Sequence, residues 1–186
     1  MPTAEALNGN RRDFLFIATG AAGAVGTALA LWPFVDQMNP DASVLALSTI
    51  EFDMAPVAEG QSVTIKWRGN PVFIRHRMPK EIEEAKAVPI ADLVDPVARN
   101  ANLPEDAEAT DQNRVIGGKE NMLVMVGVCT HLGCVPLGQQ GDYGGWFCPC
   151  HGSHYDTAGR IRKGPAPENL AVPKYEYISE TKIRIG

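Results

Sequence analysis

Two short stretches hold all four cysteines of this chain and three of its four histidines: Cys129-Thr130-His131-Leu132-Gly133-Cys134 and Cys148-Pro149-Cys150-His151-Gly152-Ser153-His154-Tyr155. So tight a grouping of soft thiolates and borderline imidazoles argues for one metal centre rather than scattered core residues. A fold for this chain must therefore bring two ligand loops to one place.

The spacing narrows the metal. Each box offers one mixed pair, Cys-x-His in the first and Cys-x-x-His in the second. Structural zinc sites instead tend to pair cysteine with cysteine and histidine with histidine. A zinc module is thus the remote alternative. Cys148-Pro149-Cys150 is C-x-C, which does not match the C-x-x-C of thioredoxin-like redox proteins. Two thiolates and two imidazoles suit a 2Fe–2S cluster with thiolates on one iron and imidazoles on the other.

The boxes, their order and their flanks resemble the Rieske iron–sulfur family, and within it the subunit of ubiquinol–cytochrome c reductase, the bacterial cytochrome bc1 complex. The similarity runs from Arg11-Arg12 to the Gly164-Pro165-Ala166-Pro167 turn and beyond. It implies one 2Fe–2S cluster per chain, with Cys129 and Cys148 on the inner iron and His131 and His151 on the outer. It also implies a disulfide between Cys134 and Cys150; four cysteines by themselves allow three pairings. Ser153 and Tyr155 stand where the family places donors to a bridging sulfide and to the Cys129 thiolate. Leu132 and the Pro165/Pro167 turn would shield the cluster from water. His151 is the position implied for contact with quinol, although spacing does not separate it from His131.

Neutral imidazoles withhold electron density from the outer iron. That raises potentials to roughly −150 to +300 mV, against about −400 mV for plant-type all-cysteine clusters. The resemblance implies an electron-transfer subunit of a proton-translocating, quinol-oxidising oxidoreductase. Such a subunit accepts an electron, coupled to a proton, from ubiquinol. It delivers the electron to a c-type haem by movement of a head domain, with cytochrome b and cytochrome c1 as partners. Soluble Rieske ferredoxins lack the second cysteine pair. The plastoquinol-oxidising relative has a shorter head, whereas residues 79–120 resemble the insertion of the bc1 branch. Another membrane electron-transfer complex is the competing reading.

Phe14 to Val35 carries no charge over 22 residues, long enough to cross a bilayer. Arg11 and Arg12 precede it, and no Lys or Arg follows until Lys66. The positive-inside bias places the N-terminus in the cytoplasm and the rest across the bacterial inner membrane, in the periplasm, as a single-pass protein. That compartment permits a disulfide. Arg11-Arg12-Asp13-Phe14-Leu15 resembles a twin-arginine export signal. Ala28-Leu29-Ala30 could be read as a cleavage site, but the apolar run continues past it, which favours an uncleaved anchor. The net charge of −5 belongs to the part after the anchor, because Glu5, Asp13, Arg11 and Arg12 cancel. An acidic head without a basic cluster makes nucleic acid an unsuitable partner.

The expected fold is mainly β: an N-terminal transmembrane helix followed by a Rieske-type antiparallel β head with an inserted cluster-binding lobe. The expected division is a cytoplasmic tail at 1–13, an anchor at 14–35, a flexible tether at 36–47 and the head at 48–186, with its lobe at about 128–167. Within the head, Val63, Ile65 and Trp67 alternate with polar residues, and Gly69-Asn70 then Pro71 to Arg75 complete a hairpin pattern. Pro79 to Ala87 predicts a helix opened by proline, and Ile90 to Ala98 a further helical turn. Residues 99–120 predict loop, with the acidic run Pro104 to Asp111 solvated. Met122 to Val128 is an apolar run leading into the first box, with Met122 and Met125 in the core. Tyr175 to Ile178 and Lys182 to Ile185 predict a closing hairpin. His154 predicts a surface or packing residue and His76 a solvated strand residue.

Overall fold

The apolar run becomes a helix with no buried residue. In the computed structural model, which describes residues 10–42 and 48–186, α1 spans Arg11–Asp36. Its start is fixed by a reciprocal cap: the Asn10 side chain accepts from Asp13 N–H at 3.0 Å, and the Asp13 carboxylate accepts from Asn10 N–H at 3.3 Å. The twin arginines therefore lie in the first helical turn. No residue of α1 is buried, and an 18-residue stretch of it has a mean hydropathy of 1.9, which suits a bilayer by length and composition. The chain divides into two units, residues 1–45 and 46–186. The expected tether at 36–47 falls partly outside the described residues.

The second unit is built from three antiparallel sheets. β1 (Ile50–Asp53) pairs with β10 (Lys182–Ile185), which pairs with β9 (Tyr175–Tyr177). β2 (Ser62–Trp67), β3 (Asn70–His76) and β4 (Met122–Val126) form the second sheet. β5 (Leu137–Gly138), β6 (Gly144–Cys148), β7 (Ser153–Asp156) and β8 (Ile161–Lys163) form the third. No sheet closes into a barrel among the described residues. The third sheet lies in sequence between β4 and β9, so the metal boxes sit on an excursion from the base sheets.

The core divides the same way. One cluster gathers Met54, Val72, Ile74, Met122, Val124, Val172, Tyr175, Ile183 and Ile185 from the two base sheets. The other gathers Phe73, Leu123, Met125, Trp146, Tyr155, Ile161 and Leu170 with Cys129 and Cys148. Phe73 and Trp146 stack with ring centroids 6.1 Å apart. Alternation along β4 explains the split: Met122 and Val124 face the base, Leu123 and Met125 the lobe.

Several expectations are met and others move. The hairpin forms, but its two turn residues are Arg68 and Gly69, both at positive φ, and Asn70 already pairs with Trp67. This is the backbone of a two-residue primed turn. The proline-led helix α2 spans Pro79–Lys86. Ile90 to Ala98 yields only a 3-10 turn at Ile90–Asp92. The backbone is already extended at Leu93, which ends the turn. The acidic run exposes Glu105, Asp106 and Glu108, but Ala109 is buried and Asp111 is buried against Arg77. His76 is more than solvated: its Nδ1 is 2.8 Å from the Val57 carbonyl and its Nε2 is 3.1 Å from Asn121. His154 packs on Phe147 and its Nδ1 accepts from Asp142 N–H at 3.1 Å.

Candidate metal centre

Both boxes fold as the same device. The Cys129 carbonyl accepts from Gly133 N–H at 3.0 Å, and the Cys148 carbonyl accepts from Gly152 N–H at 3.0 Å. Each loop is thus a single helical turn not continued. Gly133 and Gly152 close these turns with φ of +81° and +75°, the left-handed conformation that glycine adopts without a Cβ penalty. Each turn puts one histidine beside its cysteine, and the two turns face each other. The rings of His131 and His151 meet edge to face with centroids 4.6 Å apart.

Cys134 and Cys150 are joined by a disulfide that ties the two turns together. Cys129 and Cys148 are free and buried. The Sγ atoms of Cys134, Cys148 and Cys150 lie within 4.8 Å of one another. That trio is not itself a ligand set, because the disulfide consumes two of its sulfurs.

The Tyr155 hydroxyl donates to Cys129 Sγ at 3.3 Å and accepts from Thr130 N–H at 3.4 Å. Burial, then the adjacent Cys129, push the Tyr155 phenol well above its ordinary value, so it stays protonated and remains a donor. Burial alone would push the Cys129 thiol up. Hydrogen bonds from Tyr155, the His131 backbone, Cys148 and Ser153 outweigh it and hold Cys129 below its usual range. Burial pushes Cys148 up, and Cys129 adds to the effect.

The Gly164–Pro167 turn is fastened to both boxes. Ser153 Oγ is buried and accepts from Ala166 N–H at 3.2 Å. Thr130 Oγ1 donates to the Glu168 carbonyl at 2.7 Å and accepts from Glu168 N–H at 3.2 Å. Leu132 is 70% exposed, and Pro165 is exposed with it.

Comparison with known proteins agrees with this geometry. Residues 93–176 match the Rieske [2Fe-2S] domain, and residues 1–41 match a family described as the Ubiquitinol-cytochrome C reductase Fe-S subunit TAT signal. The chain is 57% identical to the ubiquinol–cytochrome c reductase iron–sulfur subunit of Cereibacter sphaeroides, covering 100% of both chains. It is 56% identical to that of Bradyrhizobium diazoefficiens, covering 95% of this chain and 94% of the relative. The chain belongs to the ubiquinol–cytochrome c reductase iron–sulfur subunits. A chain solved in a hyperthermophilic respiratory Complex III superposes with a TM-score of 0.50 at 27% identity, covering 90% of this chain and 97% of that one.

Its cofactor is a 2Fe–2S cluster, and the residues present fit it. His131 Nδ1 is buried and has no hydrogen-bond partner. An orphaned buried ring nitrogen is costly unless something coordinates it. It lies in the loop of one free buried thiol, and its ring meets that of the histidine following the other. Two thiolates and two imidazoles are the donor set such a cluster takes.

Three further residues build the site without being metal-ligand types. Thr130 latches the first loop to Glu168. Gly133 and Gly152 close the two turns. Each stands four residues after a cysteine, and that repeated spacing was the available signal.

Proposed function

We propose that this subunit takes an electron and a proton from ubiquinol and passes the electron to a c-type haem, in an assembly with cytochrome b and cytochrome c1. The observation that carries this reading is the unpartnered, buried Nδ1 of His131, packed against His151 beside two free buried thiols. In this reading Cys129 and Cys148 hold one iron, and His131 and His151 hold the other. When bound, the cluster supplies a one-electron acceptor and donor.

The chain's own residues do the rest. Nδ1 of His131 is turned inward, so its Nε2 points away from the metal side. The His151 side chain is the exposed member of the pair, so it is the ring that quinol reaches. Its outward nitrogen accepts the hydrogen bond of a quinol hydroxyl and holds the proton. The exposed Leu132 and Pro165 offer apolar surface to the quinone ring. Tyr155 keeps a hydrogen bond on Cys129 throughout.

The proposed division is a cytoplasmic tail at 1–13, an anchor at 14–35, a tether at 36–47 and a periplasmic head at 48–186, whose lobe at 128–167 carries the cluster. Arg11 and Arg12 at the N-terminal end of the helix, with no Lys or Arg after it until Lys66, support this orientation in the bacterial inner membrane. One fixed position of the head does not serve both quinol and haem, so the tether lets it move.

The test combines ligation and delivery in purified membranes. Cys129→Ser, His131→Gln, Cys148→Ser and His151→Gln are each expected to abolish the paramagnetic signal of the reduced protein together with its iron and acid-labile sulfide. Bound zinc without sulfide would overturn the metal assignment. Replacing Ala42 and Ser43 by proline restricts the backbone of the tether. It is expected to leave the signal intact while slowing reduction of the c-type haem. Unchanged haem reduction would make 36–47 a passive spacer and remove the moving head.

A further inference from the structure

A buried carboxylate lies at the far end of a hydrogen-bond chain that reaches the first ligand loop. Asp95 follows the 3-10 turn at Ile90–Asp92 and is only 3% exposed. Its carboxylate accepts from Val97 N–H at 3.1 Å, Arg99 Nε at 2.9 Å and Asn169 N–H at 3.0 Å. Asn169 is buried as well. Its side-chain amide donates back to the Asp95 carbonyl at 3.0 Å and the Val97 carbonyl at 2.7 Å. The two segments grip each other in both directions.

Asn169 N–H and the Glu168 carbonyl belong to the same peptide group. That group is planar and trans, so its N–H and C=O point in opposite directions. The N–H meets Asp95, and the C=O accepts from Thr130 Oγ1 at 2.7 Å. Thr130 stands between Cys129 and His131. Its own N–H donates to the Tyr155 hydroxyl oxygen at 3.4 Å, and that hydroxyl donates to Cys129 Sγ at 3.3 Å. One peptide plane thus joins Asp95 to the threonine inside the ligand loop.

We infer that Asp95 is a positioning residue for the cluster: it fixes the 168–169 peptide, and through Thr130 that peptide holds the Cys129–His131 turn against Tyr155. The inference rests on Cys129 and His131 being ligands, as proposed above. Neither Glu168 nor Asn169 lies in a strand, so the plane takes its orientation from what its two ends bond. A carboxylate acceptor makes the stronger of those bonds. If the plane tilts, Thr130 loses its acceptor, the turn relaxes away from Tyr155, and the donor on Cys129 weakens. A weaker donor on a ligating sulfur disfavours the reduced state.

Two rival roles predict other outcomes. Acting only through its field, the negative charge of Asp95 would disfavour an added electron, so removing it would raise the potential. Acting only as a structural tie, Asp95 would change how many molecules fold and leave the potential of the folded ones alone.

A redox titration of the paramagnetic signal of the full-length, cluster-bearing subunit in membranes separates the three. It reads only molecules that carry the cluster, so partial unfolding lowers its amplitude and not its midpoint. Asp95→Asn removes the charge. Asp95→Glu keeps the charge but advances the carboxylate by one methylene. Both are expected to lower the one-electron equilibrium constant about threefold, or about 28 mV where about 59 mV is tenfold. Thr130→Val deletes the hydroxyl at nearly constant shape and should lower the potential at least as much. Adding Asp95→Asn to Thr130→Val should then bring no further fall. A rise in Asp95→Asn with Asp95→Glu at the parent value would reduce Asp95 to its field and overturn the inference. Unchanged midpoints in both would reduce it to a tie and overturn it equally. Additive falls in the double variant would remove Thr130 from the route. A failure of the ligand reading shows itself separately, as a signal that survives Cys129→Ser or His131→Gln.

Discussion

At the scale of single residues, the site depends on hydroxyl groups as much as on ligands. Tyr155 is fully buried, and its O–H reaches Cys129 Sγ at 3.3 Å. A donor on a ligating sulfur stabilises added negative charge and so favours the reduced state. Tyr155→Phe removes this donor and, with it, the acceptor of Thr130 N–H. It is expected to lower the midpoint potential by tens of millivolts, where about 59 mV is a tenfold change for one electron. Ser153→Ala should lower it also. Because Ser153 Oγ accepts from Ala166 N–H, that variant should lose about 1 kcal/mol of stability as well. A redox titration and a thermal melt separate the two; unchanged potentials in both would place the hydroxyls elsewhere in the mechanism. The two free cysteines and the facing histidines were legible because the pattern is local: Cys-x-His and Cys-x-x-His declare themselves within a few residues. Thr130 was not, because its partner Glu168 lies 38 residues away.

Among the elements, the segment from α2 to β4 poses a physical problem of its own. It contains little regular structure, so its buried carbonyls need partners that no ladder supplies. Three buried arginines supply them. Arg160 donates to the carbonyls of Ala85 at 2.8 Å and Ala109 at 3.0 Å while paired with Asp156. Arg77 donates to the Glu120 carbonyl at 3.0 Å while paired with Asp111. Arg114 is completely buried. It reaches the carbonyls of Ala98, Ala158 at 2.9 Å and Leu170 at 2.5 Å. Burial pushes its guanidinium down to about 10, which still leaves it charged at neutral pH. Arg114→Met should destabilise the head by about 3–5 kcal/mol, because several carbonyls lose their donor at once. Arg114→Lys should recover only part, since one ammonium cannot span carbonyls that a planar fork does. Full recovery in a denaturant melt would mean that charge alone matters there. The strands and the proline-led helix were legible from alternation and punctuation. The arginines were not, since residues 77, 114 and 160 look like solvated surface until the fold brings their acceptors to them.

Over the whole molecule, acid stability turns on the join between this insertion and the cluster lobe. Asp95 is buried and accepts from Arg99 Nε at 2.9 Å, Asn169 N–H at 3.0 Å and Val97 N–H at 3.1 Å. Burial alone would push its carboxyl up, but the bonds from Arg99, Asn169 and Val97 outweigh it and hold the group below the usual carboxylate range. A carboxylate with a depressed pKa in the folded state stabilises fully above its unfolded value of about 3.9. That contribution is lost as pH falls through the lower folded value. Asp95→Asn should therefore cost about 1.5–3 kcal/mol at neutral pH. It should also flatten the loss of stability below about pH 4, as read by denaturant midpoints across pH. Parallel pH profiles for the two proteins would exclude Asp95 as the origin. The buried arginines carry one more consequence. The bonds of Arg114 and Arg160 join residues 79–120 to the turn after β7 and to Leu170, so neither part can open without exposing the other's polar groups. Insertion and cluster lobe therefore share one unfolding free energy. The irregular stretch behaves thermodynamically as an extension of the sheet it covers, and a defect far from the iron registers as a looser grip on it.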